Sequence, residues 1–188
     1  IPLENRPEID RWIISKLNSL IKDVENLYEN YEPTKAGRAI QQFVIDELSN
    51  WYVRLCRRRF WKGDYSEDKI AAYQTLHECL ISVSILASPI APFYTDELFR
   101  NLTAFNNNEH ESVHLSLFPK VNNQSINNDL EQKMIIAQRV CSLGLGLRKK
   151  EKIKVRQPLE KIIVPVVDKA FSDRINAVQN LILSELNV

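Results

Sequence analysis

The sequence predicts a mainly α chain: an antiparallel helical bundle followed by a small, incomplete α/β annex. Three observations carry this. Only four glycines occur in 188 residues. Aliphatic side chains recur at spacings of three and four, as one buried helix face requires. Near the C-terminus the pattern changes to a run of β-branched residues. An Asn-rich stretch separates the two regimes, giving residues 1–125 as the bundle with its long loop and residues 126–188 as a helix plus the start of a β–α annex.

The first helix carries the stripe Ile9, Ile13, Leu17, Leu20, Val24, Leu27 and Tyr31. Pro7 suits its first turn, and Pro33 is expected to stop it. A second helix is expected after an N-cap at Thr34, with Ala36, Ile40, Phe43, Leu48, Trp51 and Leu55 inward, running to about Arg59. Gly37 near its start marks a close approach by a neighbouring helix. Ser66, followed by Glu67 and Asp68, caps a third helix. Its apolar surface is wide: Tyr73, Leu76, Leu80, Val83 and Ala87 on one side, Ile81 and Ile85 on the other. It therefore reads as a central helix packed on two sides. Pro89 and Pro92 turn the chain into a fourth helix with Phe93, Leu98 and Leu102 inward. Asn106, Asn107, Asn108, Asn122, Asn123, Asn127 and Asn128 mark loops around a short extended segment, Ser112–Pro119. A fifth helix follows from Asp129 to Lys150 on Leu130, Ile135, Val140 and Leu143, with Gly144 and Gly146 weakening its end. Leu159–Val167 reads as a strand, and a last helix over 171–185 uses Ile175, Val178 and Ile182.

Composition narrows the function. The hydrophobic fraction is 44%, enough for a packed core. Net charge is +1, from 25 basic and 24 acidic residues, which argues against an indiscriminate polyanion binder. The longest apolar stretch, Leu80–Pro92, is broken by Ser82, Ser84, Ser88 and Pro89, so no membrane span is expected. Cys56, Cys79 and Cys141 form no CxxC pair and no disulfide framework, as expected of reduced cytoplasmic thiols. The start at Ile1 and the end at Val188 are expected to be cuts within a longer chain.

Charge is concentrated in two stretches. Arg54–Lys62 holds Arg54, Arg57, Arg58, Arg59 and Lys62 with no acid. Arg148–Arg156 holds Arg148, Lys149, Lys150, Lys152, Lys154 and Arg156 against Glu151 alone. Each stretch is +5, so the remainder of a +1 chain carries −9. Phosphate contact would need such patches, and solvated helix ends would also produce them. At about 100° per residue, a continuous helix puts Arg57 opposite the apolar side, with Arg54 and Trp61 in a narrow sector around it and Arg58 at the boundary. Arg59 then points back towards the core and needs an ion-pair partner. Trp61 reads either as a stacking face for an unpaired base or as a lid over the bundle end. Trp12 and Trp51 fall on apolar stripes. His77 reads as structural, and His114 as a loop-orienting residue. Cys56 has no accompanying His–acid pair, and Gly144-Leu-Gly146 lacks the third glycine of a phosphate loop.

Five segments carry a family resemblance: Leu48–Trp61 (LSNWYVRLCRRRFW), Tyr31–Arg38 (YEPTKAGR), Ala87–Tyr94 (ASPIAPFY), Ser112–His114 (SVH) and Leu147–Leu159 (LRKKEKIKVRQPL). Together they resemble the anticodon-binding region of isoleucyl-tRNA synthetases, class Ia enzymes, over nearly the whole chain. The resemblance implies a parent isoleucine–tRNA ligase that uses ATP and Mg2+, with a HIGH and a KMSKS signature in its catalytic module. Neither word occurs here, so no catalytic, cofactor or metal site is expected in this fragment. It further implies the anticodon arm of isoleucine tRNA and the remaining synthetase domains as partners. The expected tRNA contacts are Arg54, Arg57, Arg58, Trp61, Lys62, Lys149, Lys150, Lys152 and Lys154. Two alternatives stay open: a connector that braces the catalytic core, and the equivalent domain of a valine or methionine enzyme.

Overall fold

Pro7 leads directly into α1 (Glu8–Glu29), a computed structural model shows. The structure describes residues 1–105, 111–166 and 168–188. The expected loop at Asn106, Asn107 and Asn108, and the expected strand end at Val167, lie outside the described residues. The chain divides into two compact units, Ile1–Asn127 and Asn128–Val188.

In the first unit, α1 buries Trp12, Ile13, Ile14, Leu17, Leu20, Ile21 and Val24. Burial of each such side chain contributes about 1.5–3 kcal/mol. Tyr31 then turns the chain with φ of 56°. Pro33 opens the next helix instead of only ending the first: α2 spans Pro33–Gln42, and its N-cap is Glu32 rather than the expected Thr34. Proline fits there because its fixed φ is helical and its missing N–H is not needed. An added Cβ on Gly37 would meet Ile90 at 3.2 Å, the close approach read from the sequence.

The expected α-helix to Arg59 does not form as one piece. Phe43–Val53 is a π-helix, whose wider turn buries Phe43, Leu48, Trp51 and Tyr52. The five-residue step from Phe43 to Leu48 is the sequence trace of this i→i+5 turn. The chain breaks at Cys56 and resumes as α3 (Arg57–Trp61).

Ser66 caps α4 (Glu67–Ala87), its hydroxyl accepting from the Lys69 N–H. This helix packs against α1, α2 and α3. Its buried face is Ala71, Ala72, Thr75, Cys79, Val83, Ser84 and Leu86. Leu76 and Leu80 are only half-buried and Tyr73 is exposed. Small residues face inward because neighbouring backbones approach closely, and the large aliphatics fill the flanks. The helix matches a membrane span in length and mean hydropathy, 1.3, but its inner face is occupied by the bundle. In α5 (Pro92–Thr103), which packs on α4, Thr95 and Phe99 are the buried residues. Phe93 was expected inside and is 91% exposed, because it sits at the open first turn. The segment expected to be extended at Ser112–Pro119 contains a 3-10 turn at Val113–Leu115. Asp96 pins that turn, accepting from the Ser112 hydroxyl at 2.6 Å and the Val113 N–H at 3.0 Å.

The second unit is α6 (Asn128–Lys150), α7 (Lys169–Ala177) and α8 (Gln179–Leu186). α6 buries Leu130, Met134, Ala137 and Cys141, so the expected inward Leu143 is exposed. The helix continues through Gly144 and Gly146 without a break. The last helix is divided at Val178, whose φ of −110° is not helical. The expected strand at Leu159–Val167 is absent among the described residues: 159–166 carries no strand pairing. β-branched residues favour extended backbone, but a strand also needs a partner ladder, and none is present there. Alternation survives as Ile162 and Val164 half-buried against Ile163, 82% exposed.

A Cβ on Gly144 would lie 2.7 Å from the Leu186 side chain, whereas one on Gly146 would meet nothing within 4 Å. Gly144→Ala should therefore destabilise the chain by about 1–3 kcal/mol through overpacking. Gly146→Ala should stabilise it by up to about 1 kcal/mol through helix propensity. Urea denaturation of both variants reads the contrast, and equal effects would contradict the α6–α8 packing.

Candidate nucleic-acid interface

A helix of five residues has no stability of its own, so α3 is held by what its side chains touch. Two of them turn inward. Phe60 packs edge-on to Tyr52 at 6.4 Å and to Tyr73 at 5.3 Å between ring centroids. Arg59 forks onto Asp10 of α1, its two terminal nitrogens donating to Oδ1 at 2.6 Å and Oδ2 at 2.8 Å. It also reaches Asp68 of α4: Nε donates to Oδ2 at 3.0 Å and Nη2 to the backbone carbonyl at 2.9 Å. The expectation that Arg59 is a structural ion-pair partner is met. Asp10 is fully buried and accepts a further hydrogen bond from the Tyr52 hydroxyl at 2.9 Å.

These contacts set local proton affinities. Burial disfavours the Arg59 charge, but hydrogen bonds from it to Asp10 and Cys56 more than offset this, and its pKa rises. Burial, reinforced by the Asp10 charge, pushes the Tyr52 hydroxyl up and keeps it a proton donor. Burial also pushes the Cys56 thiol up to about 11, against a lowering hydrogen bond from Arg59. An arginine-rich neighbourhood thus does not activate this cysteine.

With Arg59 and Phe60 inward, Arg57, Arg58, Trp61 and Lys62 are left exposed on α3 and at its end. Arg57 and Trp61 stand one turn apart on one face. Trp61 is 80% exposed, so it is no lid over the bundle end. Arg54 is exposed as well but does not extend this face by simple helical rotation: the π-helix and the break at Cys56 intervene. Its guanidinium lies 5.5 Å from the Trp51 ring centroid, and its Nε donates to the Asn50 carbonyl. Sequence reasoning overlooked Tyr65, which is 84% exposed and carries Lys69 at 5.1 Å over its ring. Gly63, with φ of 77°, makes the turn between the two exposed aromatics. The signal was available: an aromatic two residues past a glycine in a charged loop has no core to enter.

The second basic stretch is built differently. Arg148 is buried, and its guanidinium donates to four backbone carbonyls, those of Lys154, Gln157, Leu186 and Asn187. α6 gives way at Lys152, whose φ of 56° occupies the place glycine usually takes. Ile153 N–H then bonds the Arg148 carbonyl, and Lys152 N–H the Lys149 carbonyl. Lys149, Lys150, Lys152 and Lys154 remain exposed around this clamp. His77 Nε2 donates to the Leu102 carbonyl at 3.0 Å, a structural contact. Among the described residues no three His, Cys, Asp or Glu side chains gather as metal ligands.

A family model described as the anticodon-binding domain of tRNA ligase matches residues 10–163. The isoleucine–tRNA ligase of Cytophaga hutchinsonii is 56% identical over the whole chain, which corresponds to 17% of that relative. That of Porphyromonas gingivalis is 53% identical, again over the whole chain and 16% of its own length. That of Dehalococcoides mccartyi is 43% identical over 97% of this chain and 18% of the relative. The chain thus spans about a sixth of the length of the curated relatives it matches.

Removing Arg59 would strand a buried carboxylate. Arg59→Ala should destabilise the chain by about 2–4 kcal/mol, less than for a fully enclosed pair because the guanidinium is 16% exposed. Arg57→Ala should stay within about 0.5 kcal/mol. Chemical denaturation of the two compares them. In the same preparations Cys56, Cys79 and Cys141, all buried, should resist a thiol reagent at neutral pH until the chain unfolds. Rapid labelling of native Cys56 would contradict its placement.

Proposed function

The chain belongs to the anticodon-binding domain family of tRNA ligases, and on that premise we propose that it recognises the anticodon arm of isoleucine tRNA as one domain of a larger cytoplasmic isoleucine–tRNA ligase. The observation that carries the reading is the α3 turn: Arg57, Arg58, Trp61 and Lys62 exposed together while Arg59 and Phe60 anchor them. Guanidinium and ammonium groups meet phosphates or base edges, and an exposed indole offers a stacking platform for an unpaired loop base. Arg54 adds charge beside this turn. Lys149, Lys150, Lys152 and Lys154 are a second candidate contact, in the unit that follows the bundle. We read 1–125 as the recognition bundle and 126–188 as its annex.

Amino-acid activation with ATP and Mg2+ belongs, in this proposal, to the rest of the ligase. The chain has neither a HIGH nor a KMSKS word. The connector reading differs in one respect: it requires no RNA contact at α3.

Arg57→Glu should weaken binding of isoleucine tRNA and reduce the slope of log affinity against log salt by roughly 0.7–0.9 for each phosphate it no longer neutralises. Trp61→Ala should cost about 1–3 kcal/mol with little change in slope. Titrations at several salt concentrations, with an anticodon-mutated tRNA as control, separate the two effects. Wild-type affinity in both variants would leave α3 a solvated face and favour the connector. The chain itself should show no isoleucine-dependent ATP–pyrophosphate exchange.

A further inference from the structure

We infer that Asp10 is a positioning residue for RNA recognition: from inside the bundle it fixes the rotation of α3 through Arg59, and so fixes where Arg57 and Trp61 point. The inference rests on the tRNA-binding reading above. Asp10 is fully buried and cannot touch RNA, so any effect it has on binding is transmitted.

Besides the Arg59 contacts, α3 is held by Phe60, whose carbonyl accepts from the Tyr73 hydroxyl at 3.2 Å. The helix is five residues long, and Cys56 at its N-cap makes no side-chain cap bond. It leaves through Lys62, which is extended, and Gly63 at positive φ. Phe60 gives it cohesion, but an aromatic edge contact restrains rotation weakly. A guanidinium fork on a carboxylate is planar and two-pronged, and it does fix an orientation. Of the two carboxylates on Arg59, Asp68 is 52% exposed and therefore solvent-screened, whereas Asp10 is wholly enclosed. Asp10 in turn is held by the Tyr52 hydroxyl, and Tyr52 by the end of the π-helix, its hydroxyl also 3.3 Å from the Ala72 carbonyl. A chain of contacts therefore runs from α1 and α4 through Tyr52, Asp10 and Arg59 to the exposed turn. Replacing one oxygen of the fork by an amide N–H would face a donor with a donor and release α3 from that orientation while Phe60 still holds it nearby.

The test uses the chain labelled with 5-fluorotryptophan, in which Trp12, Trp51 and Trp61 each give one resonance. In Asp10→Asn the Trp61 resonance should shift or broaden. Affinity for isoleucine tRNA should fall roughly 5- to 150-fold, the span that removal of one base stack covers, at a temperature where circular dichroism shows the variant folded. Tyr52→Phe should move both readouts in the same direction by less, and it serves as the deciding variant if Asp10→Asn does not fold. Leu86→Ala, in the core near the other end of α4, should lower thermal stability without moving either readout. An unchanged Trp61 resonance together with wild-type affinity in a folded Asp10→Asn or Tyr52→Phe variant would overturn the inference, and leave the tRNA reading standing if Arg57→Glu still binds poorly. If Leu86→Ala weakens binding as much as Asp10→Asn, the effect is general loss of stability and the positioning role fails. Absence of tRNA binding by the wild-type chain would remove the tRNA reading and the positioning role with it.

Discussion

A carboxylate with no solvent exposure, Asp10, sets the constraint on which this end of the bundle depends. A buried charge is unfavourable unless its oxygens are paired. Asp10 therefore requires that Arg59 and Tyr52 reach it, and their parent segments must pass close by. It stands in the first turn of α1, where the positive helix end also favours an anion. α1, the π-helix, α3 and α4 are thereby brought to one point, since Arg59 also engages Asp68. The two-pronged Arg59–Asp10 pair fixes the orientation of the chain where it meets α1.

Two irregularities in the middle of the sequence lie next to this point. An uninterrupted α-helix from Pro33 would carry its phase straight through to Trp61. The π-helix advances the backbone by wider turns and puts both Trp51 and Tyr52 on the buried side. The chain breaks at Cys56 and restarts as α3, in which Arg59 enters and Arg57, Arg58 and Trp61 stay exposed. Departures from regular helix are unfavourable locally and persist where surrounding contacts over-determine them. Here the surrounding contacts are the Asp10 fork below and the Phe60 cluster beside it.

Much of this was legible in the sequence, and the failures have physical causes. Three-and-four periodicity located α1, α4, α5 and α6 because long amphipathic helices repeat their signal over several turns. The Ser66 cap and the need of Arg59 for a partner were readable because both follow from local chemistry. Asp10 was not singled out, although it lies at i−3 from Ile13 and i−7 from Leu17, on the apolar face itself. Periodicity treats an acid there as noise, and only the distant Arg59 explains it. The inward face of α4 was misjudged because volume was taken as a proxy for burial, whereas close backbones select Ala71, Ala72 and Thr75. The strand at 159–167 was read from residue type alone, and pairing is a property of a second segment.

Two inward-turned arginines show why basic composition overstates the exposed charge of a patch. Arg59 and Arg148 each belong to a stretch that counts as +5 in the sequence, and each is withdrawn from the surface. Arg59 is neutralised by carboxylates. Arg148 has no carboxylate partner among the described residues: its guanidinium donates to four backbone carbonyls. The first patch therefore keeps a focused set of exposed cations beside an aromatic, anchored by a pair whose charges cancel. The second keeps more lysines, on flexible stems, around an uncancelled charge. Of the two patches, the α3 turn is the one with an exposed indole beside its cations, Trp61 at 80% exposure. Under the proposed function, the long-stemmed lysines of the second patch would meet a phosphate backbone and not base edges.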